Sequence, residues 1–188
     1  MRVSVSKLDL YASWKQREDQ SLADLVKMLT DNTPTEAMLR GRAFAKAVER
    51  AEVGESPYLV QDGYTFAFTG DFTVEHFPRR EESREKDYGG IIVSSRCDRV
   101  LGNLIVDDKT TERFDAENYL ESWQWKFYLD IFAADQFVWN AWEMNELDTP
   151  KAYGVHHLHR LHQYRYPALE ADCTALAQEY RNFAERYL

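Results

Sequence analysis

SSRCDRVLGNLIVDDKTT, residues 94–111, is the stretch on which the reading of this chain turns. Ile91 to Arg99 and Asn103 to Thr110 are two strand-like runs on either side of Leu101-Gly102, the pattern of a tight hairpin. The second arm, NLIVDDK, turns from apolar to charged at its end. Side chains two apart on a strand share a face. Asp107 and Lys109 therefore point one way and Asp108 the other, so that Asp108 offers the first face only its backbone carbonyl. Asp98 lies near the end of the opposite arm, and the hairpin brings two carboxylates and an ammonium to one edge. Oxygen donors of this kind suit Mg²⁺ or Mn²⁺. Hydrolysis of a phosphate ester needs a nucleophilic water, an electrophile and a stabilised leaving oxygen, which such ions supply, and Lys109 is placed to orient or deprotonate the water. An ion pair closing a strand end would be written in the same letters.

Upstream, Ser4 or Ser6 is a candidate cap for a helix through Leu8 to Trp14, Ser21 caps Leu22 to Leu29, and Thr35 with Glu36 opens a helix to about Ala51. From Tyr58 the composition turns β-branched and aromatic, with YLVQ and YTFAFTGDFTVEHF cut by Asp-Gly and Thr-Gly, the signature of short antiparallel strands. Residues 79–88 are charged and without pattern, which predicts a loop. Downstream, Ala116 to Ala134 reads as one amphipathic helix crossing the sheet. Gln136 to Met144 and Ala152 to His159 read as strands, and Ala168 to Tyr187 as a closing helix. The order predicts an α/β sandwich with a mixed central sheet flanked by helices and a helical N-terminal quarter. No internal repeat and no break in composition divides residues 1–188, which read as one domain.

The 23 Lys and Arg against 32 Asp and Glu give a net charge of −9, which argues against generic polyanion binding but says little about a local groove. Basic residues do recur as Arg40, Arg42, Lys46 and Arg50 on one predicted helix, and as Arg79, Arg80, Arg84 and Lys86; such clusters are usually solvated faces. Two cysteines, Cys97 and Cys173, are too few for a disulfide framework or a four-thiolate metal site. The N-terminus carries no apolar leader and no run is long enough to span a bilayer, so the expectation is a soluble, cytoplasmic protein without a membrane partner.

The stretch 94–111 resembles the nuclease core of the PD-(D/E)XK superfamily, the RecB-type and phage-type exonucleases in particular, where an Asp follows a short strand and an apolar run leads into Asp-x-Lys-Thr. Gln124-Trp125-Lys126-Phe127-Tyr128 matches the Gln-x-x-x-Tyr motif of the same family, two side chains one helical turn apart on one face. GRAFAKAVE, residues 41–49, resembles the family's Gly-x-x-x-His followed four residues on by Glu, and SVSKLDLY its Ser-x-Ser-x-Leu opening. Ala45 stands where relatives have the His; Glu49, one turn further, takes its place as the candidate ligand. Glu75 is a second candidate carboxylate, with a solvent-facing strand residue as the alternative.

The resemblance runs from about Val3 to Met144. It implies a restriction-endonuclease-like core and metal-dependent cleavage of DNA. Asp98, Asp107, Lys109, Gln124 and Tyr128 would be catalytic, and Asp98, Asp107, the Asp108 carbonyl and Glu49 would hold Mg²⁺ or Mn²⁺. It further implies a stand-alone exonuclease of phage-type recombination or DNA repair, with a strand-annealing protein or a ring-shaped homo-oligomer as candidate partners. A structure-specific or restriction-type endonuclease and a retired DNA-binding module are the alternatives.

Two other signals stand apart. His156, His157, His159 and His162 crowd GVHHLHRLHQYRY with no acid or thiol beside them in sequence, so phosphate contacts with Arg160 and Arg165, or a solvent-facing strand end, are expected over a transition-metal site. Trp123, Trp125, Trp139 and Trp142 are candidate base-stacking platforms, although Trp139 and Trp142 fit the core better. No Gly-rich phosphate loop supports ATP hydrolysis.

Overall fold

The computed structural model describes residues 1–17, 19–50, 58–69 and 79–188. β1 (Arg2–Ser4) runs straight into α1 (Val5–Lys15), whose N-cap Ser4 accepts the Lys7 amide. α2 (Leu22–Thr30) opens on a capping box, with Ser21 and Asp24 each satisfying the other's backbone amide. α3 (Glu36–Arg50) follows, then β2 (Tyr58–Gln61) and β3 (Tyr64–Phe68), antiparallel across Asp62-Gly63. Both turn residues have positive φ, 51° and 81°, which is why Asp-Gly stands there. β4 (Arg79–Asp87), β5 (Ile92–Leu101) and β6 (Leu104–Thr111) form a meander. α4 (Ala116–Glu121), α5 (Gln124–Phe132), β7 (Gln136–Glu146), β8 (Ala152–Tyr164) and α6 (Leu169–Tyr187) complete the chain.

The strands make one mixed sheet in the order β1-β5-β6-β7-β8-β3-β2, with β4 on the other edge of β5. β7 shows how the layers divide. Its Phe137 and Trp139 join α1, α2, α5 and α6 in one core, while Trp142 and Met144 join α3, β3 and β8 in another. Alternation thus puts α5 and α3 on opposite faces of the sheet. β6 runs parallel to β7 with Asp107 opposite Trp139 and Asp108 opposite Asn140. Asp107 accordingly faces the α5 layer and Asp108 the α3 layer.

Three expectations are corrected. Arg2–Ser4, within the quarter expected to be helical, is a short parallel strand against Ile92–Ser94, and α1 opens on Ser4, one of the two candidate caps. Residues 79–87 are a strand, not a loop. From Glu81 to Asp87 the side chains alternate exposed and half-buried, and the half-buried charges are paired: Arg84 with Glu82 at 2.6 Å and Lys86 with Asp130 at 3.0 Å, with the Arg84 guanidinium 4.9 Å from the Phe132 ring centre. Charged side chains whose stems cover apolar surface hide a strand from a hydrophobicity pattern, and charge is how an edge strand avoids unwanted pairing. Finally, the helix predicted over 116–134 is two helices, broken at Ser122, whose ψ of 134° leaves the helical region.

Trp139 and Trp142 are in the core, each 1% exposed. Cys97 and Cys173 are free and buried. Among the described residues no helix is long and apolar enough to cross a membrane. Glu75, part of the strand predicted over 72–77, and the predicted helix end at Ala51 lie outside the described residues.

Candidate active site

β4 occupies one edge of β5 over residues 92–100, so β1 and β6 must share the other. β1 takes Ile92–Ser94 and β6 takes Arg99–Leu101, which leaves the β5 backbone between them without a strand partner on that edge. The sheet forks there. Asp98 sits at the fork, and its Oδ2 accepts the Asp108 amide at 2.8 Å, a side-chain bond where the ladder would otherwise continue. The resulting cleft, about 650 Å³, takes Asp98, Asp107 and Lys109 from the hairpin, Gln124 and Tyr128 from α5, and Ser4, Val5 and Ser6 from the start of α1. Ser94, Ser95 and Arg96 of β5, Ser83, Arg84 and Glu85 of β4, and Arg42 of α3 complete its wall.

The structure therefore brings Asp98, Asp107, Lys109, Gln124 and Tyr128 into one cleft. Gln124 Nε2 donates to Tyr128 Oη at 3.2 Å and Tyr128 Oη donates to the Arg96 carbonyl at 2.8 Å, which ties α5 to β5. Lys109 Nζ lies 2.5 Å from Asp107 Oδ2 and 5.3 Å from the Trp139 ring centre. Despite that ion pair, Asp107 Oδ2 is buried and has no hydrogen bond of acceptable geometry. The Asp108 side chain is on the far face, held by Arg99, by Asn140 Nδ2 at 3.2 Å and by Trp142 Nε1 at 2.8 Å.

Burial pushes the Asp107 carboxyl well above the usual range; Lys109 opposes this and Asp98 adds to it. Asp98 is also raised by burial, against Lys109, Arg99 and Arg96. Burial presses the Lys109 ammonium downward, but Asp107 and Asp98 outweigh it and hold its pKa above the ordinary lysine value. Both shifts are upward, which disfavours the charged form of Asp107 and favours that of Lys109. The carboxylate is nearly dry at 3% side-chain exposure, whereas the lysine keeps 37% and its solvation. A buried carboxylate and a half-buried one that repel each other form a donor set that a divalent cation satisfies. Asp98, Asp107 and the Asp108 carbonyl are the groups present to hold it.

Glu49 is not among the residues lining this cleft. α3 packs Ala43, Phe44, Ala47 and Val48 into the core on the far side of the sheet from Asp107, and of this helix the cleft takes Arg42. Among the described residues no three His, Cys, Asp or Glu side chains gather as a metal-binding group. Of the other described basic side chains of α3, Arg40 pairs with Glu112 at 2.7 Å and Lys46 with Asp62 at 2.9 Å. The histidine run is corrected as well: an acid does lie beside it. His159 Nε2 is 2.8 Å from Glu143 Oε2, and the His159 ring stacks on Phe114 at 3.8 Å. Sequence reading missed the serines and arginines of the cleft wall. Ser4 and Ser6 read as caps and as part of the Ser-x-Ser-x-Leu resemblance, with no place in the cleft, and Arg84 as part of a solvated cluster.

A mixed sheet that forks around two carboxylates and a lysine, with helices on both faces, is the restriction-endonuclease-like architecture. Two solved structures share this fold at a TM-score above 0.5, and a third is more distant. A phage related exonuclease from Haemophilus somnus 129PT superposes with a TM-score of 0.51 at 13% identity, over 99% of this chain and 96% of that one. SSO0001 gives 0.51 at 16% identity, over 95% and 74%. An alkaline exonuclease from Laribacter hongkongensis gives 0.47 at 12% identity, over 98% and 88%. No family model and no curated protein matches the sequence. The chain has a restriction-endonuclease-like fold.

Proposed function

We propose that the chain is a divalent-metal-dependent nuclease that hydrolyses DNA phosphodiester bonds, an exonuclease with Asp98, Asp107 and Lys109 at its centre. The observation that carries this reading is the buried Asp107 carboxylate beside Asp98 and Lys109 at the fork of β5 and β6. The superposition on a phage related exonuclease over nearly the full length of both chains supports it.

In this reading Asp98 and Asp107, with the Asp108 carbonyl, hold Mg²⁺ or Mn²⁺. When bound, the ion supplies the electrophile for the phosphoryl oxygen and lowers the pKa of the attacking water. Lys109 donates hydrogen bonds that orient the water against the phosphorus and offsets negative charge as the leaving oxygen departs. Gln124 and Tyr128 line the same cleft and contact the nucleic acid. Arg42, together with Arg84 and Arg96, which pair with Glu82 and Glu81, supplies the wall cations that a phosphate backbone would engage. A strand-annealing partner and a ring-shaped oligomer belong to the same reading.

The test is digestion of matched linear duplex, single-stranded and closed circular DNA with Mg²⁺, Mn²⁺ or chelator. Loss of linear DNA only, dependent on metal and abolished in Lys109→Ala, is the expected result. Cutting of circles would replace the exonuclease by an endonuclease using the same centre. Binding of DNA without cleavage under any ion would overturn the enzymatic reading in favour of a binding module.

A further inference from the structure

α5 carries Gln124 and Tyr128 into the cleft, yet it does not cap itself. Its N-cap is Trp123, at φ −80° and ψ −10°, with no side-chain cap bond of its own. A helix start leaves amide groups without internal partners, and here a different helix satisfies them. Asp9, on α1, accepts the Trp123 amide at 2.6 Å and the Ser122 hydroxyl at 3.0 Å through the same Oδ1. Ser122 Oγ in turn accepts the Gln124 amide at 3.1 Å. One carboxylate thus closes the first turn of α5 from outside.

The place of this cap matters for the cleft. Residues 116–134 have the pattern of one continuous helix, and the chain breaks it at Ser122, where Asp9 engages. In a helix each residue turns by about 100°, so starting α5 one residue early or late would rotate Gln124 and Tyr128 away from Arg96 and the fork. The first turn of α1, bearing Ser4 and Ser6, forms part of the same cleft wall. Asp9 therefore joins two walls of the cleft. Its charge also falls within the field of Lys109, whose ammonium it helps to hold.

We propose that Asp9 is a positioning residue, which by capping α5 from α1 sets the register at which Gln124 and Tyr128 enter the cleft. This rests on the nuclease reading above for its consequence, but not for its geometry.

The test compares Asp9→Ala, Asp9→Asn, Gln124→Ala and the Asp9→Ala/Gln124→Ala pair in the full chain, read by kcat and KM on linear DNA and by hydrogen exchange of the segment 122–128. Asn keeps the accepting oxygen and loses only the charge. The expected result is a fall of about tenfold or more in kcat/KM for Asp9→Ala, as a misplaced contact group causes, with Asp9→Asn within about threefold of wild type. In the Gln124→Ala background Asp9→Ala should lose most of its effect, because residues acting through one another are not additive. Exchange over 122–128 should accelerate in Asp9→Ala and not in Asp9→Asn. An Asp9→Asn variant as impaired as Asp9→Ala would overturn the proposal in favour of a charge effect on Lys109, and so would an undiminished Asp9→Ala effect in the Gln124→Ala background. If the wild type cleaves no DNA, the nuclease reading fails alone and the exchange comparison still decides, unchanged protection in Asp9→Ala overturning the cap. Should Asp9→Ala not fold, Ser122→Ala removes the middle of the relay and is expected to show the same changes at smaller size.

Discussion

Asp107 and Asp108 are consecutive residues of β6 with side chains equally buried, at 3% exposure each, and their surroundings are opposite. Asp108 is saturated: Arg99, Asn140 and Trp142 all donate to it on the α3 face. Asp107, on the α5 face, has one oxygen without a hydrogen bond, faces Asp98, and opens on a cleft. Burial alone does not make a site. A buried acid whose bonds are complete is structure, and one left incomplete is held in a state the fold alone does not favour.

The largest effect should follow from removing the incomplete member. Asp107→Asn is expected to lower DNA cleavage by about a thousandfold or more, the order found when a group stabilising transition-state charge is lost. It should leave the melting temperature equal to or above that of the wild type, because it removes a charge that burial disfavours. Binding of Mg²⁺ or Mn²⁺ tests the same point without turnover. At a hundred times Kd a ligand adds about 2.7 kcal/mol, or roughly 5–10 °C for a chain of this size. Thermal denaturation should show that rise in the wild type and not in Asp107→Asn. A metal-induced rise that survives the substitution would remove Asp107 from the ion site.

The saturated member should fail in the other way. Asp108→Ala withdraws the acceptor from three donors at once and breaks a buried ion pair, which costs about 3 kcal/mol or more. Melting should fall by roughly 10 °C. Cleavage per folded molecule, measured well below that melting point, should stay within about tenfold of wild type, since the Asp108 amide that holds Asp98 belongs to the backbone. Loss of cleavage with unchanged melting would erase the distinction between the two faces.

Much of this site is legible in the letters because it obeys a local rule. Alternation along NLIVDDK alone puts Asp107 and Lys109 on one face and Asp108 on the other, and the four-residue spacing alone puts Gln124 beside Tyr128. What escaped depends on partners distant in sequence. The place of α3 is set by Phe44 packing with Phe66 and Trp142, which no spacing within the helix encodes. β4 was hidden because its half-buried side chains are Arg and Lys paired with acids such as Asp130, more than forty residues away. The break before α5 could not be seen, because its cap is Asp9, over a hundred residues upstream. The sheet's fork follows from β1 and β6 sharing one edge of β5, a consequence of topology that no window of sequence contains.

The smallest expected effect concerns pH and sets a third carboxylate beside the first two. Glu143 is held below the usual range chiefly by its bond to His159, against partial burial, with a further bond from the Phe114 amide. An acid whose folded pKa is depressed adds stability that is complete above its unfolded value, about 4.3, and is lost as pH falls through the folded value. An acid whose folded pKa is raised, as for Asp107, carries a penalty that is absent below about 3.9 and grows as pH rises toward the folded value. Glu143→Gln should therefore cost less than about 1 kcal/mol at neutral pH, as a partly exposed pair does, and the deficit should shrink below about pH 4. Asp107→Asn should show a relative gain in melting temperature that widens from pH 4 toward neutrality in metal-free buffer. Parallel melting curves in chelator from pH 3.5 to 8 read both at once. Differences that run in opposite directions with pH are what complete and incomplete carboxylates require; the same slope for both variants would mean that Asp107 is stabilised by the fold, and that its unbonded oxygen marks no ion site.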